Sequence, residues 1–171
     1  PGGLMSSWLV GKATSNDTVT LTGPMGVFYL RPVERPVVML AGGTGLAPFL
    51  SMLEYLKEKG CDQPVHLIYG VTNDDDLVCV SVLESFAASI PNFSFKTVVA
   101  NEASDHPRKG YVTNHMEDAL FNDGDVDVYL CGPPPMVNAV LGHFESQGIK
   151  PNSFHYEKFT ASVTPASEEA A

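Results

Sequence analysis

Short apolar runs, separated by loops of glycine, proline and acidic residues, set the rhythm of this chain. Val37–Leu40, Val65–Tyr69, Phe93–Val99, Val126–Leu130 and Phe154–Phe159 are rich in β-branched and aromatic residues. Such runs, bounded by turn residues, predict strands buried on both faces. Between them the spacing changes to a helical one. Leu46, Phe49, Leu50, Leu53 and Leu56 fall on one helical face, and Gly60 stands where that helix must end. Val82 to Ala88 predicts a second helix, Val112 to Phe121 a short third one, and Pro134 to Gln147 a fourth. The fourth has its prolines in the first turn, where a missing N–H costs little. Its apolar face is Val137, Val140, Leu141 and Phe144, and Gly148 follows. Strands alternating with helices predict an α/β fold, a doubly wound five-stranded parallel sheet with right-handed crossovers.

Residues 1–33 break this rhythm. Leu4–Val10 predicts a short helix, and Thr18–Leu21 and Val27–Leu30 read as strands around the turn Gly23-Pro24-Met25-Gly26. Two strands without more sheet are marginal by themselves. The expectation is therefore the last part of a β-rich domain over 1–33, with Pro32 and Pro36 bracketing a linker. A second domain follows over 34–160, and an Ala, Ser and Glu-rich tail over 161–171 is expected to be disordered. The opening on Pro1 and a glycine pair leads us to expect a piece of a longer protein.

Ligands of open α/β sheets bind at the carboxyl ends of the strands. There the first strand gives Gly42-Gly43-Thr44-Gly45-Leu46 and the second gives Gly70-Val71-Thr72-Asn73-Asp74-Asp75-Asp76. The third gives Ala100-Asn101-Glu102, the fourth gives Cys131-Gly132-Pro133-Pro134-Pro135-Met136, and the last ends on Glu157-Lys158-Phe159. Glycines 42, 43 and 45 would permit positive φ and close approach of a ligand. The helix behind them would favour an anion. A phosphate on 42–46 is the functional reading, and a βα turn using glycine only for packing is the plain one. Neither the G-x-G-x-x-G spacing nor a P-loop lysine is present.

Composition narrows the field. The 171 residues carry a formal net charge of −10 and a pI of about 4.7. No basic stripe offers itself to nucleic acid, and no apolar run approaches a membrane span. Cys61, Cys79 and Cys131 are an odd number at unrelated spacings, which favours a reducing cytoplasm over a disulfide framework. The histidines lack metal-ligand spacing, so no metal is expected in this chain.

Taken together, Gly42–Pro48 (Gly-Gly-Thr-Gly-Leu-Ala-Pro), Tyr69-Gly70, Tyr129–Met136 (Tyr-Leu-Cys-Gly-Pro-Pro-Pro-Met) and Glu157-Lys158-Phe159 resemble the ferredoxin–NADP reductase superfamily. Gly3-Leu4-Met5-Ser6 is similar to that family's FAD-pyrophosphate loop, and Gly23-Pro24-Met25-Gly26-Val27-Phe28 to the end of its flavin β-barrel. Gly124–Gly132 and Phe154–Phe159 are most similar to the reductase components of benzoate- or anthranilate-type aromatic-ring dioxygenases. The resemblance implies that NADH passes a hydride to FAD. Single electrons then reach a terminal oxygenase through a 2Fe-2S centre outside this chain. It implies a monomer whose NADH site includes Gly42, Gly43, Thr44, Gly45, Leu46, Pro48, Asn73, Asp74, Asn101, Gly132, Pro133, Pro134 and Met136. Cys131 would face the reacting rings, Glu157 would tune the flavin, and Phe159 would cover the flavin face. The flavin-ring motif Arg-x-Tyr-Ser and the cluster cysteines are absent, so these 171 residues should hold FAD poorly.

NADP-dependent relatives place Ser-Arg after the third strand, where this chain has Ala100-Asn101-Glu102, and Asp74–Asp76 would repel a 2′-phosphate. NADH is therefore the expected nucleotide. Three other readings remain at this point: a passive nucleotide-binding module, the reductase of a related monooxygenase, and an ordinary NAD-dependent dehydrogenase.

Overall fold

A computed structural model of the protein describes residues 3–158. Its centre is a five-stranded sheet, all parallel, in the order β3-β2-β1-β4-β5. The strands are β1 (Val37–Gly42), β2 (Val65–Val71), β3 (Phe93–Val99), β4 (Asp127–Gly132) and β5 (Ser153–Lys158). Every residue of β1 and β4 is buried. Both faces of these central strands are covered by helices, which explains their apolar sequence, Asp127 at the start of β4 apart. Side chains alternate between two cores. Val37, Met39 and Ala41 face α2 (Ala47–Lys59) and α3 (Val80–Ser89) through Phe49, Leu53, Leu83 and Phe86. Val38 and Leu40 face α4 (Pro134–Gln147) through Val137, Val140 and Phe144. Gly60, at φ 79°, ends α2, and Gly148, at φ 66°, ends α4.

The buried carboxylate of Asp127 opens β4. It accepts from Ser153 Oγ at 2.6 Å and from Arg35 Nη1 at 3.2 Å. Arg35 also reaches Asp125 at 3.0 Å. These bonds hold the stretch between Pro32 and Pro36 against the sheet. Phe28, Leu30 and Val33 pack against the α2/α3 core. Phe28 meets Phe49 and Tyr129 edge-on, and the Arg31 N–H donates to Tyr129 Oη at 3.0 Å.

The structure corrects the sequence reading in three places. Residues 18–21 and 27–30 form no strand among the described residues, although the helix before them, α1 (Leu4–Gly11), is present. Val19, Leu21, Val27 and Tyr29 are exposed, while Phe28 and Leu30 turn to the α2/α3 core instead of to a sheet neighbour. The third helix is replaced by two 3₁₀ segments, Val112–His115 and Asp118–Gly124. Lys96 binds Glu117 at 2.7 Å in the gap between them, and Asn122, Asp123 and Gly124 take positive φ. Finally, Gly42 has φ −120°, and of the three loop glycines only Gly43, at 53°, is left-handed. Phe159 and the tail 161–171 lie outside the described residues.

Candidate functional site

Sheet order reverses between β1 and β4, since β2 and β3 lie on one side and β5 on the other. The loops leaving β1 and β4 therefore diverge and open a crevice. Here the crevice is narrow at its base because three glycines meet. A Cβ on Gly42 would stand 2.5 Å from Met136 Sδ and 2.9 Å from Pro133 Cδ. One on Gly132 would stand 2.8 Å from Met136 Sδ, and one on Gly45 would collide with the Cys131 carbonyl. Gly42 and Gly45 thus serve close approach of two backbones, and positive φ is needed at Gly43 alone.

Above this seam lies a cleft of about 800 Å³. Gly42, Gly43, Thr44, Pro133, Pro135, Met136 and Ala139 line it on the β1/β4 side. Thr72, Asp75, Asp76, Val78, Ala100 and the segment Gly110–Thr113 line it on the β2/β3 side. The two helix starts at the cleft differ in what they can bind. Pro133, Pro134 and Pro135 have no N–H, and the N–H groups of Met136 and Val137 both bond to the Pro133 carbonyl. The start of α4 thus has little left for an anion. At the other helix start the Gly43–Leu46 turn, which contains no proline, leads into α2.

The sequence-predicted residues divide into groups. Gly42, Gly43, Thr44, Pro133 and Met136 come together at the cleft. Gly45 and Leu46 are buried beneath it, and Gly132 forms part of the seam. Pro134 is half-buried at the start of α4. Pro48 lies apart, lining a shallow hollow with Phe28 and Tyr55. Asp74 is turned to Ser104 Oγ at 2.7 Å, and Asn73 and Asn101 bond to each other at 3.2 Å. None of those three lines the cleft. Gly3, Leu4, Met5 and Ser6 are exposed at the start of α1, which buries no residue.

Cys131 is fully buried and pairs in register with Ala41 on one side and Glu157 on the other. Burial, and secondarily the Glu157 charge, push its thiol up to about 11. It is a neutral, compact side chain at neutral pH, suited to van der Waals contact and not to nucleophilic attack. It shares a core with Tyr129, on the sheet face that carries Phe28.

Sequence reasoning used Tyr69 only as part of the Tyr69-Gly70 motif, gave it no role at the site, and assigned none to Val78 or the Gly110–Thr113 segment. Tyr69 Oη donates to the Asp76 carbonyl at 3.1 Å, and burial raises its pKa. Gly110 has φ 100°, and Tyr111 beside it is 70% exposed. A glycine followed by an aromatic after β3 was the available signal. Gly70 makes room for Val112, whose Cγ2 would stand 2.6 Å from a Cβ there.

Residues 39–141 match the family profile described as the oxidoreductase NAD-binding domain. The chain belongs to that family. Over 95% of its length this NAD-binding domain protein is 58% identical to the toluate 1,2-dioxygenase electron transfer component of Pseudomonas putida. It is 47% identical, again over 95%, to the 2-halobenzoate 1,2-dioxygenase electron transfer component of Burkholderia cepacia. It spans about half of each relative, 48% and 49%. Among solved structures, the Amycolatopsis cytochrome P450 reductase GcoB superposes over 91% of this chain and 48% of its own, with a TM-score of 0.79 and 32% identity. The expected likeness to dioxygenase reductase components and the doubly wound parallel sheet are both borne out. Among the described residues no helix is long and apolar enough to cross a membrane.

Proposed function

We propose that this chain is the NADH-binding part of a reductase component that delivers electrons to the terminal oxygenase of an aromatic-ring dioxygenase. The observation that carries the reading is the glycine seam between Gly42, Gly45 and Gly132 beneath a cleft at the β1/β4 reversal. Side chains at those positions would collide with Met136, Pro133 and the Cys131 carbonyl and push apart the β1 and β4 ends that form the floor of the cleft. The residues fit the nucleotide: Gly43 and Thr44 would hold the pyrophosphate, and the apolar wall of Pro133, Pro135 and Met136 would exclude water. NADH, when bound, supplies a hydride. Cys131, neutral and buried, keeps the end of β4 compact, and Glu157 lies beside it in register.

FAD is a different case. Exposed Gly3, Leu4, Met5 and Ser6 do not build a flavin site among the described residues. In this reading FAD and a 2Fe-2S centre are held chiefly by residues outside these 171. The acidic surface, the three free cysteines and the names of the relatives support a cytoplasmic electron carrier with an oxygenase partner.

The test is anaerobic mixing of the full-length, flavin-loaded reductase with NADH. Flavin bleaching is expected, and Cys131→Ala should slow it while NADH affinity stays within a few-fold. An unchanged bleaching rate in that variant would favour a passive nucleotide-binding module.

A further inference from the structure

Met136 sits where the floor of the cleft meets its apolar wall. A Cβ on Gly42 or on Gly132 would stand 2.5 Å or 2.8 Å from its Sδ, so the sulfur fills the space that both glycines leave open. The backbone behind it is stiff. Pro134 and Pro135 have fixed φ, and the Met136 N–H donates to the Pro133 carbonyl at 2.9 Å. A thioether on three rotatable bonds is ordinarily an adaptable filler. Here it is confined between two strand ends, on the wall that Pro133, Pro135 and Ala139 share.

The six methionines differ in access. Met39, Met52 and Met116 are buried in the two cores. Met5 and Met25 are exposed, and neither lines the cleft. Met136 is half-buried and lines it. It alone is both open to a small solute through the cleft and packed against the backbone of β1 and β4.

An oxygen added to that sulfur is poorly accommodated. Toward the seam it would meet the backbone of Gly42 and Gly132. Along the start of α4 no donor awaits it, because the three prolines have no N–H and the N–H groups of Met136 and Val137 both bond to the Pro133 carbonyl. The oxygen must turn into the cleft, where water can satisfy it. A strong acceptor and its water then stand in a wall that is apolar in the unmodified protein.

We propose that Met136 is a site of reversible oxidation, and that its sulfoxide closes the cleft to the dinucleotide. The oxidant is hydrogen peroxide. The sulfur lone pair attacks one peroxide oxygen, the S–O bond forms as the O–O bond breaks, and the second oxygen leaves as water with both protons. The thioether loses two electrons and the peroxide gains them. A methionine sulfoxide reductase reverses the step, two electrons and two protons from a thiol pair returning the thioether and water. The effect on binding rests on the NADH reading above, and the oxidation of the side chain does not.

The test is brief treatment with hydrogen peroxide, followed by peptide mass analysis and by titration with NADH, read by nucleotide fluorescence. It compares wild type, Met136→Leu, which keeps an apolar side chain of similar volume, and the double variant Met5→Leu/Met25→Leu. Peptides holding Met136, Met5 and Met25 should gain one oxygen before those holding Met39, Met52 and Met116. Oxidised wild type should bind NADH about ten-fold more weakly than untreated protein, the scale of a polar group placed in an apolar wall. The double variant should lose affinity equally, and the reductase should restore it in both. Met136→Leu should stay within about two-fold of its own untreated affinity, although Met5, Met25 and exposed Cys79 still react there. The proposal is overturned if Met136 reacts no faster than the buried methionines, if oxidised wild type or the double variant keeps its affinity, if the reductase fails to restore it, or if Met136→Leu loses as much. In each of those cases the NADH reading stands. Untreated protein that binds no NADH overturns both.

Discussion

Gly45 and the Cys131 carbonyl are packed so closely that a methyl group on Gly45 would overlap the oxygen. Gly43, two residues earlier, has φ 53° and open space where a Cβ would stand. The two glycines do different work, and alanine separates them. Gly45→Ala must push β1 and β4 apart at the base of the cleft, a clash against backbone that should cost about 3 kcal/mol or more. Gly43→Ala meets no atom and should cost about 1–2 kcal/mol for the left-handed backbone alone. Chemical denaturation of both variants checks the order. A Gly43→Ala protein less stable than Gly45→Ala would contradict it.

The sheet was legible because β1 and β4 are buried on both faces, so β1 reads as an unbroken apolar run and β4 as one broken only by Asp127 at its start. The glycine loop was legible as a ligand loop, but its internal geometry was not. Positive φ at Gly43 and backbone contact at Gly42 and Gly45 look alike in one dimension, since both call for glycine. The β2/β3 wall was hard to read for another reason. Asp75 and Asp76 line the cleft while Asp74 is turned away to Ser104, a residue thirty positions on, which the aspartate run by itself does not reveal. The Val112–Phe121 segment has a helical apolar period, yet the Lys96–Glu117 pair and the left-handed Asn122 and Asp123 interrupt it.

Phe28 ties the first residues to the sheet. It packs edge-on against Phe49 and Tyr129, with the Arg31–Tyr129 bond beside it. Phe28→Ala should destabilise the protein by about 2 kcal/mol, less than a fully buried phenylalanine because Phe28 is half-buried. A truncation that begins at Val27 should keep most of the stability, and one that begins at Pro36 should lose it. Thermal unfolding of the two truncations gives the comparison, and equal midpoints would show that residues 27–35 add nothing.

Cys131 and Cys79 should differ sharply in reactivity. Cys79 is exposed, whereas burial holds Cys131 at about 11 from an ordinary 9.0. Iodoacetamide at pH 8 should label Cys79 and spare Cys131 in the folded protein, as read by peptide mass. Between pH 9 and 11 the folded thiol keeps its proton while the unfolded chain gives it up. The unfolded state then binds fewer protons, so stability is fully present below pH 9 and is lost as pH rises toward 11. Cys131→Ala should flatten that loss in part, since Tyr69 and Tyr129 are also raised by burial. An identical slope in wild type and variant would show that the thiol is not held above its ordinary value.

The central claim is that the cleft above the Gly42–Gly45–Gly132 seam receives NADH. Amide chemical shifts of the isotope-labelled protein, followed through an NADH titration, test it most directly. The account predicts that Gly43, Thr44, Asp75 and Tyr111 shift together with one affinity, while Tyr55 and Ser51 at the far hollow stay still. Shifts confined to that hollow, or none at saturating NADH, would contradict it.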